Sequence, residues 1–480
     1  MGGLLYELYS RFPVCMQNLA VSMYGYRECV VRHGKFFESA RGQIAGRMYV
    51  SGRALQEYQS QALRNLVMRC NEKVPYYRKI FRKIGLEPRQ IRGVEDLLRL
   101  PILEKSELRD NQSTLVADDI RKADLIVLGT SGTTGTPLRI WCNTRTRRLN
   151  YAYYDRFLRQ AGIDYSAPRA TFGGRLIVPS GQRKPPFWRY SVFQKNLLFS
   201  SYHLSDDNIG YYIDKLIRYR PSYIDAYPSS LHQIAAYASR HGLDLRGCTG
   251  GITTSAETLL DDQRRMIEDV FGVQVYDQYG SAEMCAFIGQ CRMGNYHIHG
   301  DYGIVEILRS DGSPAKPGEE GELVCTGLIN EVMPLLRYRI GDIGVLSDRT
   351  CCCGSQFPLL DRILGRMDDL ITTPEGHRVG RLSPVAKGLP VREVQYVQSN
   401  VHGVVVLVVP DAGYCEAAEA TLVAELQKRL GRSMKIDVQQ VDVIPRSKSG
   451  KFRSTVSSVW NAGPEERRGQ LSRPGGHICH

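Results

Sequence analysis

The chain has 480 residues, of which 42% are hydrophobic and 24% are charged. One hydrophobic core seldom organises a chain of this length, so the sequence predicts two or more domains. The formal net charge of +13 favours anionic partners such as nucleotides and coenzyme phosphates, but solvated surface Lys and Arg explain it equally well. The sequence has no basic run with interleaved aromatic residues, so nucleic acid is not a predicted partner.

Thirteen cysteines in so long a chain do not form the dense framework of a small secreted domain, and no signal peptide is evident. The uncharged run 12–26 is shorter than the roughly 20 residues of a membrane-spanning helix. It predicts a buried amphipathic helix and leaves open a helix that lies on a membrane surface. We therefore expect a cytoplasmic protein with at most peripheral membrane contact, whose oligomeric state the sequence does not indicate.

Residues 1–95 predict a mostly helical lead-in. From about residue 120 short apolar runs alternate with helical stretches, which predicts an α/β core over 96–364. The predicted strands of this core read DLIVLG, RLIVPS, SYIDAY, GVQVYDQYG, YGIVEIL and GELVCTG. Farther on, the strands VHGVVVLVVP and KIDVQQVDVI enclose the helix CEAAEATLVAELQKRLGR, which predicts a small α/β domain over 371–460. The polar tail 461–480 is predicted to be disordered.

A Gly- and Thr-rich segment, LGTSGTTGTP, is the most informative part of the chain. Its glycines let the backbone approach a ligand closely, while Ser131, Thr133 and Thr134 supply hydroxyl donors for phosphate oxygens. It follows an apolar run that reads as a strand, which is where a phosphate-binding loop is expected. Because the segment lacks the GxxxxGK[ST] pattern, the phosphate loop of kinases and GTPases is excluded.

Five further segments follow in a fixed order, namely TTSAETL, YDQYGSAE, LLRYRIGD, GRMDDLI and PRSKSGKFR. Together, over about residues 95–455, the six resemble the motifs of the adenylate-forming superfamily of acyl-CoA synthetases, peptide-synthetase adenylation domains and luciferases. Within it the chain is most similar to the phenylacetate–CoA ligase group, and there to the CapK-like branch of capsular and exopolysaccharide biosynthesis. The stretches KVPYYRKIF, LPILEKSELRDN and GRLSPVAKGL support that branch.

The resemblance implies an α/β fold with a large N-terminal domain of several subdomains and a small, mobile C-terminal domain. The two are joined by a hinge at 365–370 that contains Asp368. It implies an enzyme that uses ATP to join a carboxylic acid to AMP, releases pyrophosphate and passes the acyl group to an acceptor. Coenzyme A is the expected acceptor, and the branch suggests a role in polysaccharide biosynthesis with glycan-biosynthesis proteins as partners.

Three alternatives stay open. The acyl acceptor can be a glycan precursor instead of coenzyme A, or the enzyme can transfer AMP itself to a hydroxyl group. The chain can also be a non-catalytic partner of a polysaccharide assembly complex. The intact residues Thr134, Glu283, Asp342 and Lys451 argue against that last alternative, because a retired active site does not need all four.

The resemblance assigns roles to individual residues. The predicted phosphate-binding residues are Ser131, Gly132, Thr133 and Thr134. The predicted adenine-pocket residues are Ser255, Ala256, Glu257, Tyr279 and Gly280. Glu283 is implied to bind Mg²⁺, a hard cation that suits carboxylate and phosphate oxygens. Asp342 is implied to accept hydrogen bonds from the ribose, and Arg366 to approach the ribose or the phosphates. Lys451 would stabilise charge on the α-phosphate, and with Glu283 and Thr134 it forms the predicted catalytic set.

Cysteines and histidines in two segments suggest a second metal. The candidate ligands are Cys291, His297, Cys351 and Cys353, and their competitors are Cys285, His299 and Cys352. Three thiolates and an imidazole suit tetrahedral zinc, and some members of the phenylacetate–CoA ligase group carry a structural zinc at similar spacing. Ordinary free cysteines are the alternative. We predict a closed structural Zn²⁺ site that takes no part in catalysis.

The acid itself cannot be read from the sequence. Its pocket is predicted to be formed by the segments 227–230, 251–255 and 276–282, in which small residues leave room for a ring or a branched polar acid.

Overall fold

The protein, for which we describe a computed structural model, forms two compact units. The structure describes residues 3–129, 138–366, 370–374, 378–379, 382–386, 388–447 and 450–459. The first unit comprises Met1–Leu259, Gln263–Ile340 and Gly344–Ile363, and the second comprises Leu260–Asp262, Gly341–Ile343 and Leu364–His480. Within the described ranges, no helix combines the length and the apolar character needed to cross a bilayer.

Six α-helices precede the first strand in the described part of the chain. They are α1 Gly3–Arg11, α2 Val14–Arg32, α3 Lys35–Ala45, α4 Gly52–Lys73, α5 Pro75–Lys83 and α6 Lys105–Asp110. Helix α4 begins where the Ser51 hydroxyl accepts a hydrogen bond from the Ala54 amide at 3.2 Å, and α5 begins at a proline. Leu63, Val67 and Cys70 of α4 recur at helical spacing and are fully buried, so this helix packs one face into the core.

The stretch of chain from Ile126 to Arg366 alternates strands with helices. Its strands are β1 Ile126–Gly129, β2 Arg139–Cys142, β3 Arg169–Gly173, β4 Trp188–Ser191, β5 Asn196–Ser200, β6 Tyr223–Ala226, β7 Ile252–Ser255, β8 Val275–Gly280, β9 Phe287–Gln290, β10 Tyr296–Ile298, β11 Gly303–Leu308, β12 Glu320–Gly327, β13 Tyr338–Leu346 and β14 Leu359–Arg366. Its helices are α7 Thr144–Gln160, α8 Asp206–Tyr219, α9 Pro228–Arg240 and α10 Asp261–Phe271.

Twelve of these strands form one sheet. Their order is β11-β12-β13-β14-β10-β9-β8-β7-β6-β3-β5-β4, while β1 and β2 pair separately. The strands β5, β3, β6, β7 and β8 run parallel, so their carboxyl ends lie at one edge of the sheet. In such sheets the loops beyond that edge commonly form the ligand site.

The second unit contains a small sheet covered by a helix. Its elements are β15 Ile371–Thr372, β16 Arg378–Val379, β17 Val391–Asn400, β18 Gly403–Pro410, α11 Glu416–Leu430, β19 Lys435–Gln440 and β20 Thr455–Ser457. Four strands pair in the order β19-β18-β17-β20. Alternate residues Val404, Val406 and Val408 of β18 are buried in one core with Leu422 and Leu426 of α11, as the periods of strand and helix require.

The predicted α/β class, with a helical lead-in and a C-terminal α/β subdomain, is confirmed. One predicted strand is wrong. Residues 175–180 (RLIVPS) have no strand, because β3 ends at Gly173, a second glycine follows, and Pro179 lacks the amide that a strand would use. The predicted domain boundaries remain predictions, and the hinge residue Asp368 and the tail 461–480 lie outside the described residues.

Candidate active site

Two motif loops lie side by side at the carboxyl ends of neighbouring parallel strands. Ser255, the last residue of β7, pairs with Gln278 of β8, so the TTSAETL and YDQYGSAE segments meet at one place. Ser255, Gln278, Gly280 and Ser281 line a cavity of about 510 Å³ in the first unit. The loops that the sequence assigns to the nucleotide therefore border a space large enough for a small acid.

The backbone of both loops is held in an unusual conformation. Ala256 and Met284 have φ angles of 71° and 53°, in the left-handed region that non-glycine residues seldom adopt. Such residues cluster at functional sites, where the surrounding structure holds them in place. Part of that support comes from Glu257, whose carboxylate accepts a hydrogen bond of 3.0 Å from the Ser229 amide in the first turn of α9.

A buried carboxylate that the sequence did not single out joins these strands. Asp277 of β8 accepts hydrogen bonds of 2.7 Å from the Thr254 hydroxyl of β7 and from the Tyr296 phenol. Burial raises the pKa of the Asp277 carboxyl, while these donors act in the opposite direction. The DQ pair within YDQYGSAE was the only available sign of this role, and sequence alone does not show which of its residues faces the core.

Glu283 is a buried carboxylate beside the cavity-lining loop. Its side chain is 7% exposed and accepts a hydrogen bond of 3.4 Å from the Tyr338 phenol. Among the described residues it has no Lys or Arg within ion-pair distance. A buried carboxylate without a cation is costly, and its oxygen donors suit a hard divalent ion, so the Mg²⁺ assignment fits this residue.

The structure brings together only part of the predicted nucleotide site. Tyr279 and Gly280 end β8 beside Ser255, and Tyr279 is half-buried against the main core. Asp342 lies within β13 and is buried, and Arg366 is the last residue of β14. Ser131, Gly132, Thr133 and Thr134 lie outside the described residues, as does the Arg366 side chain.

Lys451 belongs to the second unit. Its backbone amide donates to the Ser447 hydroxyl at 3.1 Å, and the Ser447 amide donates to the Lys451 carbonyl at 3.0 Å, so hydrogen bonds in both directions link these two residues. Its side chain is half-buried. On the same loop Arg446 pairs with Glu393 of β17, which ties the lysine loop to the small sheet.

The four predicted zinc ligands converge. Cys291 follows β9, His297 is in β10, and Cys351 and Cys353 precede β14; one potential ligand atom from each lies within 4.8 Å of all the others. The Cys291 and Cys351 sulfurs are 3.6 Å apart, and the Cys353 sulfur is 3.4 Å from His297 Nε2. A tetrahedral Zn²⁺ with Zn–S bonds of about 2.3 Å separates its ligand atoms by roughly 3.8 Å, so the set fits the ion.

The surroundings of His297 and of the competing residues support this choice. His297 Nδ1 lies 3.2 Å from the Phe357 carbonyl oxygen, which can only accept, so Nε2 is left for a metal. Burial lowers the pKa of His297 and favours the neutral imidazole that metals bind. Of the competitors, His299 lies against Arg156 and Cys352 is exposed, and neither belongs to the cluster. Zinc itself remains a prediction.

We expect purified protein to contain about one zinc ion per chain, and the double replacement Cys351→Ser and Cys353→Ser to remove it and lower the melting temperature. Elemental analysis and thermal unfolding measure the two effects. Cys352→Ser is the matched control, because it alters the exposed middle residue of the same Cys-Cys-Cys run. Zinc content that is unchanged in the double variant would end the prediction.

All three segments predicted to form the acid pocket contribute to the cavity, through Tyr227, through Ser255, and through Gln278, Gly280 and Ser281. Sequence analysis did not predict the charged part of the cavity lining, which comprises Arg32, Arg169, Arg175 and Asp225. These residues come from α2, from β3 and the loop after it, and from β6, and none belongs to a recognised motif.

Comparisons with known proteins show which families the chain is similar to. A family model described as the CapK C-terminal domain matches residues 371–458. Protein CapK of Staphylococcus aureus is 29% identical over 467 residues, which cover 95% of this chain and 100% of that protein. The phenylacetate-coenzyme A ligase of Thermus thermophilus is 28% identical over 66% of this chain and 71% of its own length, and that of Escherichia coli is 27% identical over 66% and 72%.

The fold is shared with a solved ligase. The crystal structure of 2-hydroxyisobutyryl-CoA ligase, in the postadenylation state with 2-HIB-AMP, has a TM-score of 0.71 and is 19% identical over 89% of this chain and 94% of its own. These similarities support the predicted assignment to the adenylate-forming superfamily. The similarity to protein CapK and to the CapK C-terminal family model supports the CapK-like branch, and the prediction of an AMP-forming ligase is confirmed at this level.

Proposed function

We propose that this protein uses ATP to activate a carboxylic acid as an acyl-adenylate, releases pyrophosphate and transfers the acyl group to coenzyme A. The observation that carries the proposal is the meeting of the two motif loops over the cavity. Ser255 and Gln278 face each other across β7 and β8, and both line a space of about 510 Å³ that can hold the acid. A carboxylate in that space lies next to the predicted nucleotide site, where a bond to the α-phosphate can form.

The chain's own residues would bind and orient the reactants. Tyr279 would stack on adenine, Asp342 would accept hydrogen bonds from the ribose, and Ser131 to Thr134 would donate to the phosphates. Bound Mg²⁺ would neutralise phosphate charge, and Glu283 is the residue that would hold it. Lys451 would donate to the α-phosphate as negative charge develops there. The hinge at Asp368 would allow the second unit to serve the two half-reactions in turn.

The proposed acceptor and the proposed pathway are supported by similarity to known proteins. Phenylacetate-coenzyme A ligases of several bacteria match two thirds of the chain, which favours coenzyme A as the acceptor. Protein CapK matches along its whole length, and its family model covers the C-terminal unit that would serve the second half-reaction. A role in polysaccharide biosynthesis in the cytoplasm is therefore part of the proposal, and acyl transfer to a glycan precursor is the second candidate.

Pyrophosphate release from Mg-ATP tests the proposal across aryl, amino, hydroxy and sugar-derived acids, each with and without coenzyme A. We expect release that requires an acid, together with a CoA thioester detectable by mass spectrometry. Acid-dependent release without a thioester would favour the glycan acceptor. If no acid produces release while ATP still binds, the ligase proposal is wrong, and transfer of AMP to a hydroxyl group or a non-catalytic role replaces it.

A further inference from the structure

The floor of the cavity is one face of the parallel sheet. In β3 the lining residues are Arg169, Thr171 and Gly173, and in β6 they include Tyr223 and Asp225. Because alternate residues of a strand share a face, these side chains form successive rows that cross the sheet. The lining is thus set by strand register, which holds the charged groups at fixed separations.

Successive rows are spaced along the strands, from the amino ends to the carboxyl ends. Arg169 pairs with Tyr223 at the amino ends of their strands, whereas Ser255 pairs with Gln278 at the carboxyl ends. Asp225 occupies the row between them, since it pairs with Thr253 two residues before Ser255. Four residues of strand separate the first row from the last, a distance of about 13 Å at roughly 3.3 Å per residue.

A second arginine enters the cavity from the helical lead-in. Arg32, the last residue of α2, is only 6% exposed yet lines the cavity, and its guanidinium carbon lies 4.3 Å from the centre of the Tyr151 ring. It pairs with Glu28, which Arg147 also approaches at 3.9 Å, so one carboxylate serves two cations. The Arg32 Nε is buried, and no described residue forms a hydrogen bond with it. A buried donor without an acceptor is costly, which indicates that a ligand supplies one.

The charges that face the cavity do not cancel. Its described lining contains Arg32, Arg169 and Arg175 but only one carboxylate, Asp225. No ion pair within 4.0 Å joins Arg169 to Asp225 in the described part of the chain, although a phenol, Tyr223, lies 3.4 Å from Arg169. A monocarboxylic acid with an aromatic or aliphatic body would desolvate Arg169 without giving it an anion, and would leave Arg32 to share Glu28 with Arg147.

We propose that the acid activated by this enzyme carries a second anionic group, which Arg169 and Arg32 bind at the amino ends of the parallel strands. This rests on the proposed function, which puts the reacting carboxylate near Ser255 at the opposite end. Asp225, between the two ends, accepts hydrogen bonds from hydroxyl or amino groups along the middle of the substrate. The predicted substrate is an elongated, polar dianion, such as a hydroxylated dicarboxylic or phosphorylated acid.

Two matched sets of probes test the inference. The first contains α,ω-dicarboxylates from succinate to suberate and their ω-phosphono analogues, and the second contains monocarboxylates of the same chain lengths. Calorimetric binding to the full-length protein is measured beside pyrophosphate release, so that binding is known even where no turnover occurs. We expect at least one dianion to bind and react roughly 10- to 100-fold better than its monocarboxylate, the range for hydrogen bonds to charged groups.

Arg169→Gln should remove most of that preference by raising KM for the dianion, with little change for the monocarboxylate, and Arg169→Lys should restore part of it. Arg183→Gln is the control, because it removes an exposed arginine that does not line the cavity. If Arg169→Gln does not fold, the comparison of dianions with monocarboxylates on the wild-type protein still tests the inference. Monocarboxylates that match every dianion would overturn the inference but leave the ligase proposal intact. Dianion binding without pyrophosphate release would support the inference and count against the ligase proposal.

Discussion

Replacing Lys451 with Ala is expected to slow acid-dependent pyrophosphate release by roughly 100- to 1,000-fold, the usual cost of losing one donor to a developing negative charge. Thioester formation from supplied acyl-adenylate and coenzyme A should change far less, because the bond to the α-phosphate already exists in that half-reaction. Single-turnover measurements of each half-reaction, with the same acid, separate the two rates.

Lys428→Ala is the matched control for Lys451. It removes a lysine from the same unit, but this lysine lies on the exposed face of α11, where it pairs with Glu425. Both half-reactions should keep their rates in this variant. An equal loss in the two half-reactions of Lys451→Ala would contradict the assigned role and would point to a structural function of the 447–451 loop.

Glu283→Gln should reduce adenylation by roughly 100-fold or more and raise the Mg²⁺ concentration needed for half-maximal rate, because an amide is a weaker ligand for a hard cation. The melting temperature of this variant should be equal to or higher than that of the wild-type protein. The amide keeps an oxygen for the Tyr338 phenol, and the change removes a buried charge that has no Lys or Arg partner among the described residues. Magnesium titrations of pyrophosphate release and thermal unfolding measure the two effects.

A combination of lower activity with undiminished stability is what distinguishes a metal ligand from a structural carboxylate. Glu320→Gln at the exposed start of β12 controls for loss of one negative charge and should alter neither quantity. If Glu283→Gln keeps the wild-type magnesium dependence, or if it lowers stability and activity together, then Glu283 supports the fold and does not hold the ion.

Much of the architecture could be predicted because it depends on local pattern. The alternation of apolar runs with helical stretches predicts the α/β class, since each pattern buries one face of its element. The closeness of the two motif loops also follows from the sequence, because SYIDAY, TTSAETL and YDQYGSAE each contain or follow a strand. Parallel neighbours put their carboxyl ends together, and Ser255 does pair with Gln278.

The charged part of the cavity lining could not be predicted, because its residues are far apart in the chain. Arg32, Arg169 and Asp225 lie on α2, β3 and β6, and only the register of β3 with β6 and the position of α2 bring them to one space. Each residue alone reads as a solvated surface charge. The failed strand at 175–180 has a different cause, since the apolar LIV run is followed by a proline and preceded by two glycines, and tertiary packing buries only part of it.

The central claim is that an acyl-adenylate forms, and isotope exchange between pyrophosphate and ATP tests it most directly. Exchange requires that a bound acid displaces pyrophosphate reversibly, and it needs no acceptor. We expect labelled pyrophosphate to enter ATP only when Mg²⁺ and a suitable acid are both present, and the Lys451→Ala variant to lose this activity. Exchange that proceeds without any acid, or none with any acid while ATP and the acid still bind, would contradict the account.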